Sequence, residues 1–164
     1  NIIAGIKQVC GSSFSLALRL SPTRFGVQIE EIVAYYERLC AARKLDFIDM
    51  SLWDVFQEVD EGTFQGQRLV DIFARLERHE TKLTVAGKIN TGEDVKNVLD
   101  AGVDFVALGR AGILHHDWPQ KFAENQDFRS IQTPVSRAHL TAEGLGPKFV
   151  DYMSTWAGFV EQGA

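Results

Sequence analysis

The sequence is poor in cysteine, proline and methionine, with two, four and two residues respectively in 164, and it carries no excess of positive charge. The cysteines, Cys10 and Cys40, both fall on stretches that read as helix. There is no CxxC pair and no Cys/His group at ligand spacing, so neither a structural zinc site nor a disulfide is expected. The 17 Lys and Arg against 22 Asp and Glu leave a net charge of −5, the wrong sign for a nucleic-acid surface. No apolar run approaches the roughly 20 residues of a membrane-spanning helix. Signal, transit and lipidation motifs are missing too, which reads as a cytoplasmic protein without a membrane partner. No Pro/Gly/Ser-rich tract divides the chain, so residues 1–164 read as a single domain. An initiator Met is also absent. The chain opens inside a helical pattern, Ile2, Ile3, Ile6, Val9 and Cys10, which reads as a cut within a longer protein.

What is present is an ordinary globular composition, 45% hydrophobic and 24% charged. Four short apolar runs bounded by turn residues read as strands, over about residues 15–20, 45–51, 83–86 and 105–108. Between them lie amphipathic patterns. Residues 27–44 carry Ile29, Ile32, Val33, Tyr36, Leu39 and Cys40 at helical spacing, and residues 67–79 carry Leu69, Val70, Ile72, Phe73 and Leu76. Thr91 and Asp94 stand at capping-box spacing before a third helix that stops at Gly102. A short helix near Trp118, a polar stretch of about twenty residues, and an aromatic helix from Gly146-Pro147 through Phe159 complete the chain. Apolar strands alternating with amphipathic helices specify an α/β fold with a parallel sheet. A full (β/α)8 barrel needs about 250 residues. Four βα units therefore read as half of one.

In such folds ligands sit beyond the carboxyl ends of the strands. Two of these ends share one design. Gly87 is followed by Lys88 and Gly109 by Arg110. A glycine lets backbone N–H groups approach an anion, and the following cation adds charge, a combination suited to phosphate. Simple turn chemistry would explain each glycine equally well. Arg19 is the odd residue in its strand, because a guanidinium inside an apolar run needs a partner. Two roles stay open for it: an ion pair with Asp49 on the next strand, or an approach to a ligand's negative charge.

Three segments stand out together: Arg19-Leu20-Ser21-Pro22, the turn from Val85 through Gly87-Lys88-Ile89 to Thr91, and the run Ala101-Gly102-Val103-Asp104-Phe105-Val106-Ala107-Leu108-Gly109-Arg110-Ala111. They resemble the NADH:flavin oxidoreductases of the Old Yellow Enzyme family. Asp117-Trp118-Pro119 and the ending from Gly144 to Val160 extend the resemblance over essentially the whole chain. The resemblance implies the C-terminal half of a TIM barrel, strands five to eight, of an FMN-dependent enzyme. Such an enzyme takes hydride from NADH or NADPH and passes it through the flavin to an electron-poor C=C bond. Carried over by position, Arg19 matches the arginine beside the flavin N1–C2 edge, and Gly87, Lys88, Gly109 and Arg110 match the FMN phosphate site. Lys88 departs from the glycine or asparagine commoner there. Trp53 and Asp54, after the second strand, are candidates to flank cofactor or substrate.

The family's substrate-binding His/His or His/Asn pair and its proton-donating Tyr lie in the first half of the barrel. His79, His115, His116 and His139 do not fill that role and read as surface residues. No catalytic residue is expected in this half, which is expected to be inactive alone; its open sheet edges would drive self-association or be capped by terminal helices, the aromatic C-terminal helix being a candidate. The missing N-terminal half-barrel and a small-molecule substrate are the implied partners. Two other readings remain: a phosphate-ligand barrel enzyme of isomerase or synthase type, and a non-catalytic structural fragment.

Overall fold

The computed structural model describes residues 2–22 and 26–162. Its contacts divide the chain into two compact units. The first is Asn1–Lys88 with Val95–Ala107, and the second is Ile89–Asp94 with Leu108–Ala164.

The first unit is built on four strands, β1 (Ala17–Leu20), β2 (Phe47–Ser51), β3 (Lys82–Ala86) and β4 (Phe105–Val106), all parallel and paired in the order β1-β2-β3-β4. Helices α1 (Ile2–Cys10), α2 (Ile29–Ala41), α3 (Leu69–Arg75) and α4 (Gly92–Asp100) alternate with them along the chain. Sequential parallel strands joined by helices make this an α/β sheet with the arrangement of half a (β/α)8 barrel.

The strands alternate faces residue by residue. Ile48, Met50, Leu83 and Val85 point to one face and are completely buried. Tyr36 and Cys40 of α2, and Val70 and Phe73 of α3, are likewise closed to solvent. The Tyr36 and Phe73 rings meet at 5.6 Å. On the opposite face the register aligns Arg19 with Asp49 and Asp49 with Thr84, while Phe105 pairs with Thr84. This face is partly open, with Phe105 42% exposed against the edge of Phe47 at 5.5 Å. Among the described residues, β1 and β4 each pair on one side only.

The second unit is helical. Helices α5 (Arg110–Leu114), α6 (Trp118–Glu124), α7 (Arg137–Ala142) and α8 (Pro147–Ser154) surround a core of Leu114, Val135, Leu140, Val150, Met153, Phe159 and Val160. The segment before α4 belongs here and is capped as its spacing predicts. Thr91 Oγ1 accepts the Asp94 N–H at 3.0 Å, and Asp94 Oδ2 accepts the N–H groups of Asn90 and Thr91, both at 2.9 Å. Gly92 lies so close to the 126–128 backbone that a Cβ there would fall 1.9 Å from the Gln126 carbonyl oxygen.

Three sequence expectations need correction. The fourth strand ends at Val106 rather than Leu108, and α5 begins directly after Gly109. The polar stretch holds α7, capped by the Ser136 hydroxyl on the His139 N–H. The last helix stops at Ser154, and Phe159 reaches the core from the segment beyond it. Both cysteines are free, Cys10 exposed and Cys40 buried. No helix among the described residues is long and apolar enough to cross a membrane.

Candidate functional site

The carboxyl ends of β1, β2 and β3 bring several of the sequence candidates into one region of the first unit. Arg19 is the third residue of β1 and projects from the partly open face. Its Nη1 lies 3.3 Å from Asp49 Oδ2, and its Nη2 donates to Ser51 Oγ at 2.9 Å. The side chain nonetheless stays 58% exposed, against 19% for Asp49. The sequence alone suggested a guanidinium enclosed by an apolar strand. That premise is corrected by the pleat, which turns Leu18 and Leu20 to one side and Arg19 to the other. The two open roles for Arg19 are compatible: it is paired and still reachable.

Two polar atoms of this face are without a partner among the described residues. Asp49 Oδ1 and Thr84 Oγ1 are buried without a hydrogen-bond partner, and their residues are register neighbours on β2 and β3. A buried acceptor without a donor costs about 1–3 kcal/mol. Nothing in the sequence marked Thr84, because a threonine inside a strand is ordinary.

Gly87 and Lys88 form a tight crossing with the turn after β2. Gly87 has φ 153°, and a Cβ there would lie 2.7 Å from the Trp53 carbonyl carbon and 2.9 Å from the Asp54 nitrogen. Its carbonyl accepts the Val55 N–H at 3.2 Å, and that of Ala86 accepts the Leu52 N–H at 2.8 Å. The glycine is therefore required by close backbone approach. Trp53 (φ 61°) and Lys88 (φ 51°) flank it, both in the left-handed region that non-glycine residues seldom occupy. Lys88 Nζ is held by Asp54 Oδ2 at 2.9 Å, and the Trp53 side chain is 55% exposed.

Gly109 and Arg110 belong to the second unit. Gly109 precedes α5, and its carbonyl accepts the N–H groups of Gly112 and Ile113 at 3.1 and 3.3 Å. A Cβ at Gly109 would meet nothing within 4 Å. Arg110 is exposed and forms no ion pair among the described residues.

A cavity of about 540 Å³ lies beside the β1–α2 and β2–α3 connections. Glu30, Glu58, Asp60 and Glu61 line it. Glu30 Oε1 accepts the Thr63 N–H at 2.9 Å, and backbone hydrogen bonds from its own N–H and that of Thr63 hold its carboxyl below the usual glutamate range. Such a lining repels phosphate. The signal was available in the acidic run 58–61, but only folding places Glu30 beside it.

No protein-family model matches the chain. It is 25% identical over 126 residues to the probable NADH-dependent flavin oxidoreductase YqiG of Bacillus subtilis, covering 75% of this chain and 33% of that protein. It is 26% identical over 142 residues to the NADH:fumarate oxidoreductase of Klebsiella pneumoniae, covering 82% of this chain and 15% of that protein. Similarity also extends to the imidazole glycerol phosphate synthase subunit HisF of Geobacillus thermodenitrificans, 28% identical over 140 residues, covering 84% of this chain and 47% of the subunit. The chain thus spans less than half the length of each of these relatives. They support a general oxidoreductase reading and, more weakly, a second kind of barrel enzyme.

Proposed function

We propose that the chain is the flavin-contacting part of an FMN-dependent oxidoreductase of the Old Yellow Enzyme kind, working with NADH or NADPH on an electron-poor C=C bond or similar acceptor. The observation that carries this reading is Arg19, held by Asp49 and Ser51 on the open sheet face while 58% of its side chain remains exposed. The residues present fit such a group. A fixed, accessible guanidinium suits the anionic edge of a reduced flavin, and a cation already oriented there costs little reorganisation on binding. When bound, FMN would supply the hydride relay. The chain's own part is to hold Arg19 in place. Phosphate contacts are proposed for Gly87 with Lys88 and, separately, for Gly109 with Arg110. The likeness to two NADH-dependent oxidoreductases supports the reading.

In keeping with it, we place the protein in the cytoplasm and assign the substrate-binding residues to a preceding half-barrel. That half would pair the free edges of β1 and β4, and without it the edges favour self-association. Size-exclusion chromatography with light scattering should show dimers or larger species, and a clean monomer would contradict this part.

Titration of the chain with FMN, followed by flavin fluorescence, tests the cofactor. Binding in the wild type and its loss in Arg19→Ala are expected. The likeness to HisF favours a second reading, a phosphate-ligand enzyme of synthase type. On that reading Arg19→Ala leaves ligand affinity unchanged.

A further inference from the structure

The second unit gathers a different kind of chemistry, independent of the oxidoreductase reading. Three of the four histidines of the chain stand just past α5 or within α7, with two carboxylates beside them. The histidines were expected at the surface. His115 instead is buried, and its Nε2 accepts the Ile131 N–H at 3.1 Å. His139, on α7, bonds through Nε2 to the Leu114 carbonyl at 2.9 Å and so fastens α7 to the end of α5. This fastening brings Glu143, just past α7, against the α5–α6 turn. Glu143 Oε2 accepts the His116 backbone N–H at 2.9 Å and lies 2.7 Å from His116 Nδ1.

Asp117 is the third member. Lys121 Nζ reaches its Oδ2 at 2.5 Å. Its Oδ1 is buried and has no hydrogen-bond partner. One ligating atom from each of His116, Asp117 and Glu143 lies within 4.8 Å of the others. A group that gathers an imidazole and two carboxylates, one of them with an oxygen that has no donor among the described residues, is an arrangement a cation completes.

We infer that His116, Asp117 and Glu143 form a binding site for a divalent transition metal of the zinc class. One imidazole nitrogen and two carboxylate oxygens suit such an ion, and three protein ligands leave a position for water. Calcium would demand six or more oxygens, and magnesium keeps mostly water. The ion replaces the direct contact between His116 Nδ1 and Glu143 and takes up the orphaned Asp117 Oδ1. Lys121 keeps its place on Oδ2 and orients the carboxylate from behind. The missing Cys/His spacing in the sequence bears only on sites built from neighbouring ligands. Here Glu143 is 27 residues from His116, and only the packing of α7 on α5 brings them together.

The test uses the full chain, free of any polyhistidine tag, titrated with Co²⁺ and followed by visible ligand-field absorption, with Zn²⁺ competition by calorimetry. One equivalent of Co²⁺ should bind, displaceable by Zn²⁺. His116→Ala and Glu143→Gln should each weaken binding by about tenfold or more, while His79→Ala changes nothing. Circular dichroism confirms that each variant is folded. Nitrogen NMR of the wild-type imidazoles supplies a readout that needs no variant, and Zn²⁺ should shift His116 and leave His79 in place. Absent ligand-field bands, wild-type affinity in both ligand variants, or an unshifted His116 resonance would each overturn the assignment.

Discussion

The two faces of the four-stranded sheet differ in what they hold and what they offer. On the helix side, Ile48, Met50, Leu83 and Val85 are fully buried and carry no polar atom that needs a partner. On the other side stand Arg19, Asp49, Ser51 and Thr84, with Phe105 42% exposed. Two buried polar atoms there, Asp49 Oδ1 and Thr84 Oγ1, have no partner. The first face supplies folding energy through apolar burial. Unmet hydrogen-bonding capacity is shared, since the buried Tyr36 hydroxyl of α2 also has no partner among the described residues; what the second face adds is reachable charge, which a sheet optimised for stability alone would replace by apolar residues. Apolar burial and accessible polar chemistry thus lie on opposite sides of the same strands.

The comparison is most directly broken by truncating two side chains from the buried face and one from the open face. Met50→Ala and Leu83→Ala each remove a fully buried side chain and should cost about 2–5 kcal/mol in urea denaturation. Phe105→Ala leaves less of a cavity because its ring is already 42% exposed, and it should cost about 1 kcal/mol or less. An equal loss in all three would mean that both faces are closed by packing and that the distinction fails.

A smaller loss is expected at the strand ends, where the sheet meets its loops. Gly87→Ala would drive a Cβ to 2.7 Å from the Trp53 carbonyl carbon in a left-handed conformation. The expected destabilisation is more than about 1 kcal/mol, again by urea denaturation. Gly109→Ala, where a Cβ would meet nothing within 4 Å, is the matched control and should cost less.

Much of the sheet was legible because its signals are local. Each strand is an apolar run between turn residues, and the Thr91/Asp94 spacing announced a capping box that the hydrogen bonds reproduce. Helix α7 was not legible, since of Arg137–Ala142 only Leu140 is buried and a single apolar residue sets no period. The role of Gly87 was legible only as the need for a small residue. The backbone that Gly87 must admit comes from the Trp53 turn, more than thirty residues away in sequence. The Arg19–Asp49 pairing could be named once two adjacent parallel strands were assumed. The side on which Arg19 lies depends on which face the helices cover, a tertiary outcome.

The amino-terminal end of the sheet contributes a pH-dependent difference. Burial pushes the Asp104 carboxyl upward, but Lys82 Nζ at 2.8 Å, the Leu83 N–H at 2.9 Å and the Arg78 charge outweigh it and hold the group below the ordinary aspartate range. A carboxyl whose folded value is depressed stabilises the fold above its unfolded value, and the gain is lost as pH falls through the folded one. Stability should therefore decline below about pH 4. Asp104→Asn should be less stable at neutral pH and show a flatter acid limb in thermal unfolding followed across pH. An unchanged limb would place the acid sensitivity elsewhere.

The smallest effect on folding is expected where the largest effect on binding is proposed. The Arg19–Asp49 pair is separated by 3.3 Å, but the arginine side chain is 58% exposed. Solvent at that exposure screens the attraction, and such pairs contribute about 0–1 kcal/mol. Arg19→Ala should therefore shift the denaturation midpoint little, and raising the salt concentration should shift the wild type little as well. Arg19→Lys keeps the charge but loses the planar fork that reaches Asp49 and Ser51 together. It should match the alanine variant in stability and fall between it and the wild type in FMN affinity. A large stability loss in Arg19→Ala would make the guanidinium a structural member of the sheet and would remove the contrast between its two faces at the residue that expresses it most clearly.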